Sequence, residues 1–473
     1  MKKFISLLVA VAISAVALRA EGVKFEANVT EPGQLLTVIG DNVDKIDTLV
    51  VKGPVNKDDF ATMWHECFYG KLTVIDLKEA QIEGQRIPDY AFYDYQSQVV
   101  DNKLLHLKLR KIVFPDNLQE IGNLAFCRTE LESLELPSGL KTICNSAFLR
   151  CYSLTGNVVL PEGLTTLERG CFQDCHELQG VEFPSTLKSI GNAAFYQTAI
   201  KSVILPEGVE QLGTEVFAGS QEIEEAVIPG TLKEVGYAIF GTCTAMKKLT
   251  LGEGLETVPE GLASDCIALE EVKFPSTIKE IGKEAFYNCD KLINVDIPEG
   301  VTTIDDIAFY NCDFEKIVIP STVLYLGKNS FYTSTLKAIY SKAAFAPLCG
   351  GNDDINAMGG TPFGAISVET PIYIPIGSKA NYQATAGWNR FTNFIETNDF
   401  SGVASADLPA SRAYWKDGSL VVECAGADVE KCEIYTLDGR LAASVSIGMG
   451  ATEVALPRGS YIVRMGNEVL KIK

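Results

Sequence analysis

The chain repeats one pattern of apolar and polar positions. A short apolar run closes on proline, as in VFP, ELP, VLP, EFP and ILP, at Pro115, Pro137, Pro161, Pro184, Pro206, Pro229, Pro275, Pro298 and Pro320, and Gly252 fills the one gap. Successive positions lie 22 to 24 residues apart. Three residues after each stands an aliphatic residue, from Leu118 to Val323, and six after stands another, from Ile121 to Leu326. Eleven after stands Phe126, Phe148, Phe172, Phe195, Phe217, Phe240, Phe286, Phe309 or Phe331, with Ala263 as the exception. Ten registers in phase predict a solenoid, because a repeat of this length is one supersecondary unit.

Each coil is predicted to hold one short strand, with turns and short helical pieces making up the rest. Alternate residues such as Val181 and Phe183 point inward, and proline, which cannot donate to a ladder, closes the strand. Gly122, Gly191, Gly213, Gly236, Gly282 and Gly327 are expected to supply a tight bend. The Ala-Phe step sends its ring into the core. One coil cannot bury these groups alone, but stacked coils bury a continuous stripe at roughly 1.5–3 kcal/mol per large side chain. The coil with Gly252 and Ala263 is expected to be locally looser.

The unit L-x-x-I-x-L-P-x-x-L-x-x-I-G-x-x-A-F-x-x-C resembles the BspA-like leucine-rich repeats of exported Bacteroidetes proteins. IPDYAFYDY at 87–95 resembles the start of that family's array, and LTVIGDNVDKIDTLVV at 36–51 resembles its N-terminal cap. PIYIPIGSKANYQATAGWNRFTNFIE at 371–396 resembles its closing segment. The resemblance implies a secreted or surface protein of a family with adhesins for host proteins, and it brings no catalytic residues.

The two ends differ from the body. Lys2 and Lys3 precede an apolar run from Phe4 to Leu18, and small residues follow, with cleavage expected after Ala20 or Ala17. This is a secretory signal pattern, and the run is too short for a membrane anchor. At the other end, CEIYTLDGRLAASVSIG and LPRGSYIVRMGNEVLKIK read as alternating strands with a turn at Asp438-Gly439. A linker of small residues around 398–412 precedes them. The tail resembles the C-terminal sorting domains of type IX secretion substrates. The alternative is an ordinary terminal β-sandwich. The expected organisation is a signal peptide at 1–20, a cap with irregular repeats at 21–99 and a leucine-rich repeat solenoid of about ten coils at 100–340. A closing segment at 341–399 and a small all-β domain at 403–473 complete it.

Charge narrows the function. Lys plus Arg is 41 and Asp plus Glu is 61, a net charge of -20. The first twenty residues carry +3 and residues 403–473 carry -1, so the acid sits on the body. Such a polyanion repels nucleic acid and acidic membrane surfaces.

Candidate chemistry is sparse. Of 13 Cys, six share one register, Cys151, Cys175, Cys243, Cys266, Cys289 and Cys312, fourteen after the proline position. They are expected as free, buried, small side chains. Stacked parallel side chains seldom meet disulfide torsions, and the C-x-x-C spacing of metal sites is absent. Cys424 and Cys432 alternate with core positions of the tail and are expected to face each other from adjacent strands. A disulfide there and two reduced thiols both remain open. His65, His106 and His176 are scattered and read as solvated or capping residues. No GxSxG, HExxH or P-loop occurs. Asp305-Asp306 and Asp353-Asp354 lack EF-hand spacing and read as solvated turns, with a weak cation site as the alternative. The stretch 341–364 reads as a connector.

No cofactor and no enzymatic activity are expected. The leading reading is an adhesin-like protein that binds a host extracellular-matrix protein or glycoprotein. A structural surface protein without a specific ligand is the alternative, and a carbohydrate-processing accessory or enzyme stands behind it. Two residues before each proline the side chain points outward. Five of those ten positions, Val113, Val159, Ile204, Val227 and Val318, are branched aliphatics where an idle face would be polar. They form the candidate protein-binding face.

Overall fold

The computed structural model describes residues 23–93, 99–100, 103–104, 107–351, 361–364 and 366–400. In the tail it describes 411–416, 419–424, 431–436, 440–446, 450–465 and 468–472. The expected signal peptide, most of the linker and the turn Asp438-Gly439 lie outside these residues. The chain forms two units, up to Leu178 and from Gln179.

The first unit opens with a parallel sheet of Lys24–Asn28, Thr48–Val55, Val74–Ile82 and Lys111–Val113. The helix Lys57–Phe68 lies between the second and third strands. Its cap is reciprocal: Asn56 accepts the N–H groups of Asp58 and Asp59, and the Asp59 carboxylate accepts the Asn56 N–H. Asp59 is fully buried because it also accepts from Gly33 at 2.7 Å and Leu35 at 2.9 Å, tying the preceding loop to the helix. Short strands Arg86–Ile87, Glu120–Ile121, Thr142–Ile143 and Thr166–Leu167 then pair in parallel.

Each coil therefore holds a strand that sequence pattern did not show. In the second unit, Ser202–Ile204, Glu225–Ile228, Lys248–Leu251 and Glu271–Lys273 form one parallel sheet before the proline register. Lys316–Ile319, Ala338–Ser341, Ile372–Ile374 and Phe394–Glu396 form another. After the proline turn come two-residue strands such as Gln211–Leu212 and Glu280–Ile281, paired with their counterparts in neighbouring coils. Two residues are too few to show an alternating period, so only the inward aliphatic was visible.

The Ala-Phe segment is a turn, not a helix. In the coil that follows Pro275, Glu284 and Asn288 adopt left-handed backbone with φ of 58° and 55°. Between them Phe286 points inward. All three donate their N–H to the next coil, at 3.1, 2.8 and 2.8 Å. The stacking bonds offset the strain of two non-glycine residues at positive φ.

The rings form ladders. In the first unit Phe92, Phe126, Phe148 and Phe172 stack at 5.4, 5.2 and 5.1 Å. In the second, Phe195, Phe217 and Phe240 stack at 5.4 Å, and Phe286, Phe309 and Phe331 at 5.2 and 5.3 Å. Such stacks add about 0.5–1.5 kcal/mol per pair beyond burial. Ala263 separates the last two stacks and is itself fully buried.

The glycine expectation needs correction. Gly213 and Gly327 do not adopt positive φ. A Cβ on Gly213 would stand 2.3 Å from the Asn192 nitrogen, and one on Gly327 2.2 Å from the Asp306 nitrogen. Glycine is there because the neighbouring backbone is too close for a side chain. The expected loose coil is corrected in the same way. A Cβ on Gly230 would lie 1.7 Å from the Glu253 carbonyl oxygen, so the two coils press together where Gly252 replaces proline.

From Pro161 onward the turns after the proline position alternate between Glu-Gly and Ser-Thr, with Gly230-Thr231 in one Ser-Thr place, which gives a two-coil period. Ser276 donates from its N–H and hydroxyl to Glu253, at 3.1 and 3.0 Å, and Gly254 N–H donates to the Thr277 hydroxyl at 3.0 Å. Ser321 and Thr322 repeat this clasp on Glu299 and Gly300.

The tail is a two-sheet β-domain. Ser411–Lys416, Ser419–Cys424 and Gly450–Val454 form one antiparallel sheet. Leu441–Ser446, Lys431–Thr436, Tyr461–Met465 and Glu468–Ile472 form the other. Its core contains Leu420, Val422, Cys432, Ile434 and Val463, and Phe345 of the closing segment packs against it. The strands of Cys424 and Cys432 belong to different sheets, which corrects their expected adjacency. The Cys424 side chain lies outside the described residues.

Candidate functional site

The five candidate residues all sit on outward positions of strands or strand ends. In the first unit Val113 is half-buried and its register partner is Asp76, while Val159 is 55% exposed. These two are not brought together. In the second unit Ile204, 65% exposed, is the register partner of half-buried Val227. The row then turns polar through Thr250 and Lys273.

The apolar row resumes at Val318 and continues past the regular array. Val318 pairs with Tyr340, Tyr340 with Tyr373, and Tyr373 with Ile395. The two tyrosine rings stack with centroids 4.4 Å apart and planes within 5°. All four side chains are half-buried. Burial and the neighbouring phenol raise the Tyr340 hydroxyl above its ordinary pKa. Tyr340, Tyr373 and Ile395 escaped the sequence reading because the ladder of phased prolines ends at Pro320. Pro375, two residues after Tyr373, was the signal available.

Charges beside the strands are paired between coils. Lys247 meets Glu224 at 2.9 Å and Lys248 meets Glu271 at 3.7 Å. The Lys247 contact holds the Glu224 carboxyl below its usual range, and Glu224 raises Lys247. Both groups are exposed, so these pairs add little to stability. In the second unit the row thus offers two apolar patches on a charged surface.

The thiols are inward. All six same-register cysteines are free and buried. They are more than small apolar fillers: each donates to a main-chain oxygen of the preceding coil. Cys266 reaches Phe240 O at 3.1 Å, Cys289 reaches Ala263 O at 3.2 Å and Cys312 reaches Phe286 O at 3.2 Å. Burial drives the Cys243 thiol to about 12 and holds Cys175, Cys266 and Cys312 well above the ordinary value. Such thiols are poor nucleophiles and poor metal ligands.

Polar candidates remain local. His65 contacts Glu66 at 3.1 Å, and His176 stacks on Tyr152 at 5.5 Å. His106 and Asp353-Asp354 lie outside the described residues. Asp305 accepts the Asp306 N–H and Asp306 accepts the Lys328 N–H, which makes them turn residues. Among the described residues no three His, Cys, Asp or Glu side chains gather as a metal site, and no helix is long and apolar enough to cross a membrane.

Residues 87–224 and 213–337, just over half the chain, match the family described as BspA type Leucine rich repeat region (6 copies). The chain belongs to the BspA-type leucine-rich repeat family. This BspA-type protein is similar to a leucine-rich repeat protein from Bacteroides ovatus, at 26% identity over 63% of this chain and 79% of that chain, with a TM-score of 0.48. It is also similar to a leucine rich cell surface protein from Faecalibacterium prausnitzii, at 22% identity over 67% of this chain and 89% of that one, with a TM-score of 0.35. With the pneumococcal vaccine antigen PcpA it shares 19% identity over 75% and 80% of the two chains, with a TM-score of 0.38. No curated protein matches it. The BspA-type repeat accounts for the stacked strands and for the ring and thiol ladders.

Proposed function

We propose that this is an exported, cell-surface or secreted repeat protein that binds a host matrix protein or glycoprotein through the outward strand face. Membership of a repeat family supports a binding role, because stacked coils present extended recognition surfaces. The observation that carries the reading is the placement of Ile204 beside Val227, and of Val318 in line with Tyr340, Tyr373 and Ile395. Apolar and aromatic groups held on a charged surface are the usual centres of protein contacts. Residues 1–20 would direct export. The cap at 21–99, the solenoid at 100–340 and the closing segment at 341–399 would form the working body. Residues 403–473 would engage the secretion machinery as a sorting or attachment domain.

Two experiments test this reading. Purified protein is offered to immobilised host matrix proteins and glycoproteins, and saturable binding to one of them is expected. Binding to none would favour a structural surface role. In the native host, deletion of 403–473 should hold the protein in the periplasm, and normal display of the truncated chain would remove the sorting role.

A further inference from the structure

Tyr340 and Tyr373 are register partners on the parallel strands Ala338–Ser341 and Ile372–Ile374. Their rings stack with centroids 4.4 Å apart and planes within 5°, the closest aromatic pair among the described residues. The inward phenylalanine stacks from Phe195 to Phe331 stand at 5.2 to 5.4 Å. Parallel strands in register present the two phenols in one orientation, so each ring carbon beside a hydroxyl faces its counterpart. The hydroxyl ends meet as well. Burial, and after it the charge and hydrogen bonding of Tyr373, raise the Tyr340 hydroxyl above its ordinary pKa.

The surroundings leave these two phenols to each other. Both rings are half-buried, so an oxidant reaches their outer edge. The row is aliphatic on either side, with Val318 beside Tyr340 and Ile395 beside Tyr373. Each phenol therefore has one oxidisable neighbour in the row. Groups held about 3–3.5 Å apart behave as one reactant, and the stacked rings need to close by only about 1 Å.

We propose that Tyr340 and Tyr373 form a site of oxidative cross-linking, joined as dityrosine by a peroxide-driven one-electron oxidant such as a haem peroxidase. Each phenol gives up one electron and its hydroxyl proton. The two radicals pair through the ring carbons beside the hydroxyls, because the position opposite each hydroxyl carries the side-chain methylene. One carbon–carbon bond forms. The hydrogens on the two bonded carbons move to the oxygens and restore both phenols. One hydrogen peroxide takes up the two electrons and two protons and becomes two waters. The bond closes residues 341–372 into a covalent loop and ties the regular array to its closing segment. The site rests on ring geometry and holds whatever the strand face binds.

The test treats the full chain, without any partner, with a haem peroxidase and hydrogen peroxide at two protein concentrations. Dityrosine is read by its blue emission and by peptide mapping after denaturation and thiol alkylation. Trypsin separates Tyr340, the sole tyrosine of 338–342, from Tyr373, the sole tyrosine of 343–379. The expected product is these two peptides joined with the loss of two hydrogens, at the same yield at both concentrations. Tyr340→Phe and Tyr373→Phe keep the stack but lack the phenol, and each should remove this product and most of the emission. Tyr310 and Tyr332, 4.8 Å apart and within 9°, are the next closest tyrosine pair and should link less. The linked chain should melt at a higher temperature, because the closed loop restricts the unfolded chain. No dityrosine, a dominant link elsewhere among the 17 tyrosines, links only between molecules, emission that survives both Phe variants, or an unraised melting temperature would each overturn the proposal.

Discussion

The sulfur of Cys266 lies 3.1 Å from the main-chain oxygen of Phe240, one coil earlier. The same bond recurs from Cys243 to Phe217 at 3.3 Å, and Ser220 makes it to Phe195 at 3.0 Å. The register therefore selects a small side chain that can donate, and cysteine is the version that also tolerates an apolar surround. Cys266→Ser should be close to neutral. Cys266→Ala or Cys266→Val should cost about 0.5–1.5 kcal/mol, because the Phe240 oxygen keeps the Cys243 N–H at 3.1 Å but loses its second donor. Denaturant unfolding of the three variants distinguishes a donor role from simple filling. Equal losses in all three would leave only filling.

The thiols also set a pH dependence. An unfolded cysteine ionises near its ordinary value of 9.0, whereas burial moves folded Cys243, like Cys144, to about 12. Between those values the unfolded chain has released protons that the folded chain retains. Stability is fully present below about pH 9 and declines as pH rises toward about 12. Urea midpoints measured from pH 8 to pH 10.5 should fall. A variant with serine at Cys243 and Cys266 should fall less steeply, and identical slopes would contradict the assignment. Thiol reagents at neutral pH should leave the six ladder cysteines unmodified until the protein is denatured.

Gly327 tests the packing of coils against each other. A methyl group there would meet the Asp306 nitrogen at 2.2 Å, so Gly327→Ala should force the coils apart and cost at least about 1–3 kcal/mol. The melting temperature reads this directly. An unchanged melting temperature would mean that the coil spacing yields freely.

The sequence made the solenoid, the ring ladder and the thiol register visible because each repeats every coil at a fixed offset. What it concealed depends on neighbours a full coil away. Gly213 reads as a bend residue until Asn192 is seen beside it. The second strand of each coil, such as Glu280–Ile281, is too short to show a period. The alternation of Glu-Gly with Ser-Thr was present in the chain, but a reading of single coils averages it away. The outward row was legible at Ile204 and Val227. It was lost at Tyr340 and Tyr373, where the proline ladder stops although the strands continue to pair.

The strand face is tested most directly by affinity. Once a matrix protein or glycoprotein is captured by the intact chain, its dissociation constant is compared with those for Ile204→Asp with Val227→Asp, and for Tyr340→Ser with Tyr373→Ser. Circular dichroism checks the fold of each. At least one pair should weaken binding by about tenfold or more, about 1.4 kcal/mol. Unchanged affinity in both folded variants would place binding elsewhere on the molecule and contradict the account.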